Sequence, residues 1–103
     1  MSKYHARKTK VGNKVFASKK EADRFIELTL MEKAKAIQDL KCQVAFPLLP
    51  KSRWGREIRY IADFTYYEDG RLVVEDTKGF RTDVYKLKKR LFEERYGIEL
   101  KET

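Results

Sequence analysis

The clearest pattern of hydrophobic and polar positions lies between residues 57 and 79, where two runs rich in Tyr, Ile, Val and Phe flank a short polar segment. That segment contains Asp69 and Gly70. Asp-Gly between two such runs predicts a β-hairpin, because glycine accepts the positive φ that a tight two-residue loop requires. With these two residues as the loop, the predicted cross-strand pairs are Glu68 with Arg71, Tyr67 with Leu72, Thr65 with Val74, and Asp63 with Asp76.

The predicted pairing of Asp63 with Asp76 is unusual. Directly opposite residues have Cβ atoms roughly 4.5–5.5 Å apart, and like charges there are destabilising. A divalent cation between the carboxylates would remove the repulsion, and Mg²⁺ prefers such oxygen ligands. Lys78 lies two residues after Asp76 and shares its face, so the three side chains indicate a catalytic centre. Two alternatives stay open: a bulge at Gly70 that sets Asp63 opposite Glu75, and a surface hairpin with scattered charges.

A capping pattern predicts that the first helix begins at Ser18. Ser18 lies three residues before Glu21, a spacing that lets each side chain satisfy a free backbone amide of the first turn. The helix is expected to run to about Ala36. Its predicted apolar face consists of Ala22, Phe25, Ile26, Leu28 and Met31. Glu21 thus has an ordinary structural role, but a carboxylate on a first turn can also project over a neighbouring sheet, beside Asp63 and Asp76.

A strand is predicted over residues 41–49, where apolar and polar side chains alternate. Pro47 and Pro50 mark its end, because proline has no amide to donate to a sheet. Residues 51–56 then form a basic loop with one aromatic residue, Trp54. The favoured interpretation is that Trp54 covers the edge of the core, and the alternative is that it stacks on a base or a sugar.

The second predicted helix covers residues 83–96, with Thr82 as its N-cap and Gly97 just after its end. Its predicted buried stripe consists of Val84, Leu87 and Leu91. The basic residues on another side are Lys86, Lys89 and Arg90. These form either a solvated face or a surface that contacts phosphates. Residues 98–100 are predicted to form a final short strand, and residues 11–14 a small turn before the first helix.

Composition narrows the possible functions. The chain of 103 residues fits one domain, and 24 basic against 16 acidic residues give a net charge of +8, which favours a nucleic-acid partner. The single Cys42 forms no internal disulfide, so a reducing cytoplasmic setting is expected. No apolar run approaches the roughly 18 residues of a membrane span, and the basic N-terminus lacks the apolar core of a secretory signal. With His5 as the only histidine, histidine-based zinc or nucleophile chemistry is excluded.

The chain is expected to divide into a basic N-terminal arm, residues 1–10, and a single domain, residues 11–103. The basic side chains of the arm are Lys3, Arg7, Lys8 and Lys10. They either form a solvated terminus or neutralise phosphates.

The predicted order of elements is helix, three strands, helix and strand, with Glu on the first helix, Asp on the second strand and Asp-x-Lys on the third. This order resembles the common core of the PD-(D/E)XK nuclease superfamily, although Ala62 stands where the superfamily name has proline. Over nearly the whole chain there is a closer resemblance to a small phage and prophage family, domain-of-unknown-function family 1064. The motifs that carry it are Ser-Lys-Tyr-His-Ala-Arg-Lys-Thr at 2–9, Ser-Lys-Lys-Glu-Ala at 18–22, Tyr-Ile-Ala-Asp-Phe at 60–64, Val-Glu-Asp-Thr-Lys-Gly at 74–79 and Asp-Val-Tyr-Lys-Leu-Lys-Lys at 83–89.

The resemblance implies an α+β fold with a restriction-endonuclease-like αβββαβ core, in which two helices flank a mixed four-stranded sheet. It implies a Mg²⁺-dependent endodeoxyribonuclease, with Mn²⁺ as a substitute ion. The expected role is phage recombination or replication in the cytoplasm of a bacterial host. Branched DNA such as a Holliday junction is the expected substrate and a homodimer the expected active form. A non-catalytic DNA-binding module with the same fold is the alternative.

The resemblance also assigns residues. The implied catalytic residues are Glu21, Asp63, Asp76 and Lys78. The implied metal ligands are Glu21, Asp63, Asp76 and the Thr77 carbonyl, with Glu75 as an alternative to Asp76. Lys78 is expected to orient the attacking water and to stabilise developing negative charge. The residues expected to contact DNA are Arg7, Lys8, Lys19, Lys20, Lys86, Lys89 and Arg90.

Overall fold

The fold is α+β, with two helices and a mixed four-stranded sheet. A computed structural model of the chain describes residues 8–77 and 81–103. Its elements are β1 (Thr9–Val11), β2 (Lys14–Phe16), α1 (Lys19–Lys33), β3 (Gln38–Leu49), β4 (Ile58–Glu68), β5 (Arg71–Asp76), α2 (Asp83–Tyr96) and β6 (Lys101–Glu102). The large sheet has the order β3-β4-β5-β6, antiparallel except for the parallel β5–β6 pair. Within the described ranges no helix is long and apolar enough to cross a membrane.

The β4–β5 hairpin confirms the predicted two-residue loop. Asp69 and Gly70 both have positive φ, 54° and 76°. This is the backbone that a tight primed turn requires, and glycine adopts it without strain. The confirmed pairs are Glu68 with Arg71, Tyr67 with Leu72, and Thr65 with Val74. Glu75 pairs with Phe64, so the alternative register that set Glu75 opposite Asp63 is wrong.

The first helix begins as predicted, since the Ser18 hydroxyl accepts a hydrogen bond from the Glu21 amide at 3.1 Å. Ala22 and Leu28 are buried, whereas Ile26 is 44% exposed, so its assignment to the apolar face is wrong. The predicted turn before the helix is the loop of a second hairpin, β1–β2, whose strands the sequence did not reveal. This hairpin begins at Thr9, so the structure places the last two residues of the predicted basic arm in a strand.

Strand β3 begins earlier than predicted, at Gln38, and continues through Pro47, which pairs with Arg59. Proline is tolerated here because β3 is at the edge of the sheet, where an amide on the open side has no partner strand. The register shifts between Pro47 and Leu49.

The second helix has the predicted bounds but a different buried face. The Thr82 hydroxyl accepts a hydrogen bond from the Tyr85 amide, and Gly97 ends the helix with a φ of 66°. The side chains predicted to be buried are exposed: Val84 63%, Leu87 58% and Leu91 43%. Tyr85 and Phe92 face the core instead. Aromatic rings bury more area than Val or Leu, and the ring contacts of Phe92 set the rotation of the helix.

Those ring contacts define one of two hydrophobic clusters. Phe92 lies 4.9 Å from Phe46 and 5.3 Å from Tyr60, between ring centroids. The cluster with α2 consists of Leu48, Tyr60, Ala62, Val74, Tyr85, Phe92 and Leu100. The cluster with α1 consists of Phe16, Ala22, Leu28, Ile37, Phe64 and Tyr66. The predicted strand at 98–100 is wrong in position, since β6 forms at Lys101–Glu102 and Leu100 belongs to the core.

Strands β3 and β4 change helix partner partway along their length. In β4, Ala62 packs in the α2 cluster and Phe64 in the α1 cluster, although regular alternation gives both residues the same face. In β3, Cys42 packs against the α1 cluster and Phe46 against the α2 cluster. The residue next to Cys42, Gln43, has a φ of 53°, which is rare outside glycine. The change of partner therefore occurs where the predicted acidic site lies.

Candidate functional site

The centre of the site is an amide bridge between two carboxylates. The Gln43 side-chain nitrogen donates to Glu21 Oε2 at 3.0 Å and to Asp63 Oδ1 at 3.4 Å. Glu21 is 6% exposed and Asp63 8% exposed. The predicted projection of Glu21 from the first turn of α1 towards the sheet is confirmed. Gln43 had no signal in the sequence, because a polar residue at an alternating strand position is usually solvated.

Asp63 is also fixed from the other side. Its Oδ2 accepts a hydrogen bond from the backbone amide of Thr77 at 2.8 Å. Thr77 directly follows β5 and is buried. Asp63 thus connects β4 to the segment that leaves β5, which is where the sequence predicted the second half of the site.

Asp76 is completely buried and accepts a hydrogen bond from the Tyr60 hydroxyl. Burial, this hydrogen bond and the negative charge of Asp76 raise the pKa of Tyr60 well above its ordinary value, and the charge of Asp63 adds to the shift. The charges of both carboxylates therefore act on one phenol. In this arrangement the repulsion that the sequence predicted between Asp63 and Asp76 is reduced by hydrogen-bond donors of the protein itself.

Glu75 lies in a different environment from Asp76. Strand alternation directs it towards α1, where Arg24 donates to both of its oxygens, with Nη2 to Oε2 at 3.1 Å. The Tyr66 hydroxyl also donates to Glu75 Oε2, at 2.7 Å. Hydrogen bonding to Glu75 raises the pKa of Arg24, and burial raises the pKa of Tyr66. Glu75 is thus held in a buried ion pair, on the face opposite to the Asp76 side chain.

A chain of hydroxyls links this ion pair to the acidic site. Thr103 Oγ1 donates to Glu75 Oε1 at 3.2 Å and lies 3.0 Å from Thr77 Oγ1. The Thr103 amide donates to the Asp76 carbonyl at 3.0 Å. Thr77 is therefore held by Thr103 on one side and by Asp63 on the other.

Basic residues border the site on one side. A groove of about 470 Å³ has Glu21 and Gln43 in its lining together with Lys8 and Lys14. Cys42 lines the same groove, and burial raises the pKa of its thiol. Lys8 was predicted as a DNA contact, whereas Lys14 was missed because the turn around it gave no sign of which way it faces.

The basic residues of α2 lie together as predicted, in a second depression of about 200 Å³. Its lining residues are Arg81, Tyr85, Lys86, Lys89, Arg90, Glu93 and Glu102. Lys89 and Arg90 each face an acid one turn later, Glu93 at 3.4 Å and Glu94 at 3.8 Å. On α1, Lys19 pairs with Asp23 at 2.8 Å, and Lys20 lines a third depression that includes Thr77. Two predicted site residues, Lys78 and Arg7, lie outside the described residues.

The residues that would hold a metal ion are of the right chemical type. Glu21, Asp63 and Asp76 offer carboxylate oxygens, which are the ligands that Mg²⁺ and Mn²⁺ prefer. The Gln43 amide donates hydrogen bonds to both Glu21 and Asp63 and so occupies the space between them. Positive charge is favoured in this space because both acids face it. Over residues 8–77 and 81–103, however, no group of three His, Cys, Asp or Glu side chains is arranged to hold an ion.

Comparison with known proteins identifies the family of the chain. No curated protein and no solved structure matches the chain. A family model described as "Protein of unknown function (DUF1064)" matches residues 1–103, which is the whole sequence. The resemblance to this family seen in the motifs is therefore confirmed. The chain belongs to the DUF1064 family.

Proposed function

We propose that this chain is a metal-dependent endonuclease of the PD-(D/E)XK type, which hydrolyses phosphodiester bonds of DNA. One observation carries the proposal: three buried carboxylates come from three separate elements. Glu21 of α1 and Asp63 of β4 share the Gln43 amide, and Asp76 of β5 accepts the Tyr60 hydroxyl. Burying a carboxylate costs free energy unless it is hydrogen-bonded or paired, and a set of buried acids at the end of a sheet is therefore a candidate for a functional site. The order αβββαβ after the first hairpin supports a restriction-endonuclease-like core.

The proposed ligands of the ion are the carboxylates of Glu21, Asp63 and Asp76 and the main-chain carbonyl of Thr77, and the three carboxylates would converge only when the ion binds. When bound, Mg²⁺ supplies a nucleophilic water at neutral pH and polarises the phosphoryl oxygens. Lys78 follows Thr77 in sequence and is the proposed residue that orients the attacking water.

The remaining site residues act as supports. The Thr77 amide fixes the rotamer of Asp63, and the Tyr60 hydroxyl fixes that of Asp76. Gln43 keeps Glu21 and Asp63 together. Side chains held in this way have few rotamers, so less conformational entropy is lost when a ligand binds.

A substrate is expected to contact two basic surfaces. Lys8 and Lys14 line the groove beside Glu21, and the basic residues of α2 line another. Contacts with phosphates would come from both. As part of the same proposal, the substrate is branched DNA handled by a homodimer, and the biological setting is phage recombination or replication in a bacterial host.

The direct test is a cleavage assay on matched duplex, single-stranded, flap and four-way-junction DNA, with Mg²⁺, Mn²⁺ or chelator. We expect cleavage that requires the ion and that Asp76→Ala abolishes while leaving DNA affinity intact or improved. Because Asp76 is completely buried, Asp76→Asn is the second variant, since it keeps the volume and can still accept the Tyr60 hydroxyl. Glu99→Ala, at an exposed acid away from the proposed contacts, is the control. Cleavage that survives in both Asp76 variants refutes the assignment.

A second candidate is a DNA-binding module without catalysis. It is favoured by the hydrogen bonds that Asp63 already accepts from Thr77 and Gln43, and that Asp76 accepts from Tyr60. Sites of this kind are stable without an ion. Tight binding with no cleavage of any of the four substrates, in either metal, would select this candidate.

The role of the α2 surface can be measured separately from cleavage, in chelator. Each phosphate contact contributes about 0.9 to the slope of log affinity against log salt. Neutralising Lys86, Lys89 and Arg90 together is therefore expected to reduce the slope by about three. The control variant neutralises three exposed basic residues elsewhere: Lys33, Lys41 and Arg71. An equal slope in both variants would show that the α2 residues are ordinary solvated surface.

A further inference from the structure

The turn between β3 and β4 has a well-defined structure at its tip. Ser52 and Gly55 exchange both backbone hydrogen bonds, at 3.0 and 3.2 Å, and this leaves Arg53 and Trp54 as a two-residue loop. The Ser52 hydroxyl also accepts a hydrogen bond from the Trp54 amide at 3.1 Å. Three hydrogen bonds within four residues restrain the backbone of the turn, which fixes the positions from which the two side chains at the tip extend.

The favoured interpretation of the sequence, in which Trp54 covers the edge of the core, is wrong. The Trp54 side chain is among the most exposed apolar groups of the chain, with 82% of the residue accessible. The Arg53 guanidinium carbon lies 4.3 Å from the centroid of its ring. A cation over one face of an indole leaves the other face available to a second planar group.

The surroundings of the tip are basic. Lys51, Arg53, Arg56 and Arg59 lie within nine residues of sequence, with Glu57 as the one acid among them. All five residues are exposed. An exposed aromatic ring among cations fits a partner that combines planar π-faces with negative charge, and single-stranded nucleic acid has both.

We propose that Arg53 and Trp54 form a stacking contact for an unpaired base, so that the substrate is DNA with a single-stranded segment at a branch, flap or end. The base stacks on the free face of Trp54, and the neighbouring cations neutralise its flanking phosphates. Stacking of this kind tolerates any sequence, because every base has a π-face. The choice of DNA rests on the proposed function, but the contact itself needs no catalysis.

The length of chain between Trp54 and Asp63 limits where the unpaired base can lie. Trp54 precedes Asp63 by nine residues, which span at most about 30 Å of extended chain. One strand of DNA advances about 3.4 Å per nucleotide. The unpaired base is therefore expected within about nine nucleotides of the bond that is cleaved.

Trp54 is the only tryptophan, so its fluorescence reports directly on this contact. The full chain is titrated in chelator with oligothymidine, with a blunt duplex and with the same duplex carrying a single-stranded flap. We expect saturable quenching by oligothymidine and by the flap substrate, and binding of the blunt duplex without quenching. Quenching of equal size by the blunt duplex would overturn the proposal in favour of insertion into a groove. Quenching by an acidic peptide but by none of the DNAs would overturn it in favour of a protein partner.

Affinity measurements on variants complete the test. Trp54→Ala is expected to weaken binding of oligothymidine and of flap DNA by about fivefold to a hundredfold, which is the usual effect of losing one stacked base. Blunt-duplex affinity should not change, and Trp54→Phe should retain most of the preference. Leu30→Ala, at another apolar residue that is 61% exposed, is the control. Equal loss on all DNAs, or no loss on any, overturns the proposal.

The two proposals fail in different ways. If the chain cleaves none of the substrates but flap DNA quenches the fluorescence of Trp54, the nuclease assignment is refuted and the stacking contact stands. If the Trp54→Ala variant cleaves flap and blunt substrates in the same ratio as the unmodified chain, the nuclease assignment stands and the stacking contact is refuted.

Discussion

The buried ion pair of Arg24 with Glu75 gives the sharpest prediction about stability. Glu75 is completely buried, and the Arg24 side chain is 17% exposed. Arg24→Met keeps most of the side-chain volume but removes the charge and the two-pronged hydrogen bond. The carboxylate would then be left in the core with the hydroxyls of Tyr66 and Thr103 as its donors among the described residues.

Breaking a buried pair from one side costs about 3–5 kcal/mol, because an uncompensated charge remains. A domain of this size loses roughly 4–8 °C of melting temperature per kcal/mol. We therefore expect Arg24→Met to lower the melting temperature by at least about 12 °C. The double variant Arg24→Met with Glu75→Leu should recover most of this loss, since well-packed apolar replacements of a buried pair are often neutral.

The assay is urea and thermal unfolding followed by circular dichroism, with the four chains of a double-mutant cycle measured together. The control is Arg90→Met, which removes an ion pair whose side chains are 80% and 71% exposed. Exposed pairs contribute about 0–1 kcal/mol, so this variant should melt close to the unmodified chain. If Arg24→Met costs no more than the control, or if the two changes are additive, the pair does not stabilise the fold in the way described.

Three further predictions concern titration and charge. Burial and hydrogen bonds to carboxylates raise the pKa of Tyr60, Tyr66 and Tyr85 above 10, so their contribution to stability is complete below pH 10 and is lost as the pH rises further. Tyrosinate absorbance should therefore show three of the six tyrosines ionising only on alkaline unfolding, and early ionisation of all six would contradict this. The hydrogen bond from the Tyr85 hydroxyl, and after it the one from Arg81, lowers the pKa of Glu102 below its ordinary value of about 4.5. Ionised Glu102 therefore stabilises the fold fully above that pH, and this stabilisation is lost as the pH falls through the lower pKa of the folded chain. Glu102→Gln should lower the melting temperature at neutral pH, and this difference should disappear in acid. Asp63→Asn should be as stable as the unmodified chain or more stable without metal, because asparagine can still accept the Thr77 amide, and a marked loss would mean that the carboxylate is structural.

The parts of the fold that were predictable are those decided by local backbone rules. Asp69 and Gly70 adopt the positive φ of a tight loop, and Ser18 and Thr82 cap their helices. These features depend on residues within a few positions of one another. A sequence pattern records such neighbours directly.

The buried face of α2 could not be predicted because it is decided by distant residues. Val84, Leu87 and Leu91 have suitable helical spacing, and nothing in their neighbourhood shows that they remain exposed. The aromatic contacts of Phe92 with Phe46 and Tyr60 outweigh them. Tertiary contacts of this kind override a local hydrophobic pattern.

The acids of the site were predictable, and their partners were not. The hairpin register and the family motifs identified Glu21, Asp63 and Asp76 as candidate site residues. Gln43 stands in no motif, and the motif at 60–64 gives no sign of what Tyr60 does. The roles of both residues follow from contacts with residues 16 to 22 positions away in sequence. The function of a polar residue on a strand can be inferred only when its neighbours in the folded chain are known.

The change of helix partner along β3 and β4 has a consequence for synthesis on the ribosome. The outer half of this hairpin, with Phe46 and Tyr60, is made before the α2 ring that covers it, Phe92. Until that helix emerges, the nascent chain presents two aromatic side chains and an open strand edge, which are the features that chaperones bind and that drive aggregation. Chains truncated before α2 should therefore accumulate as insoluble material.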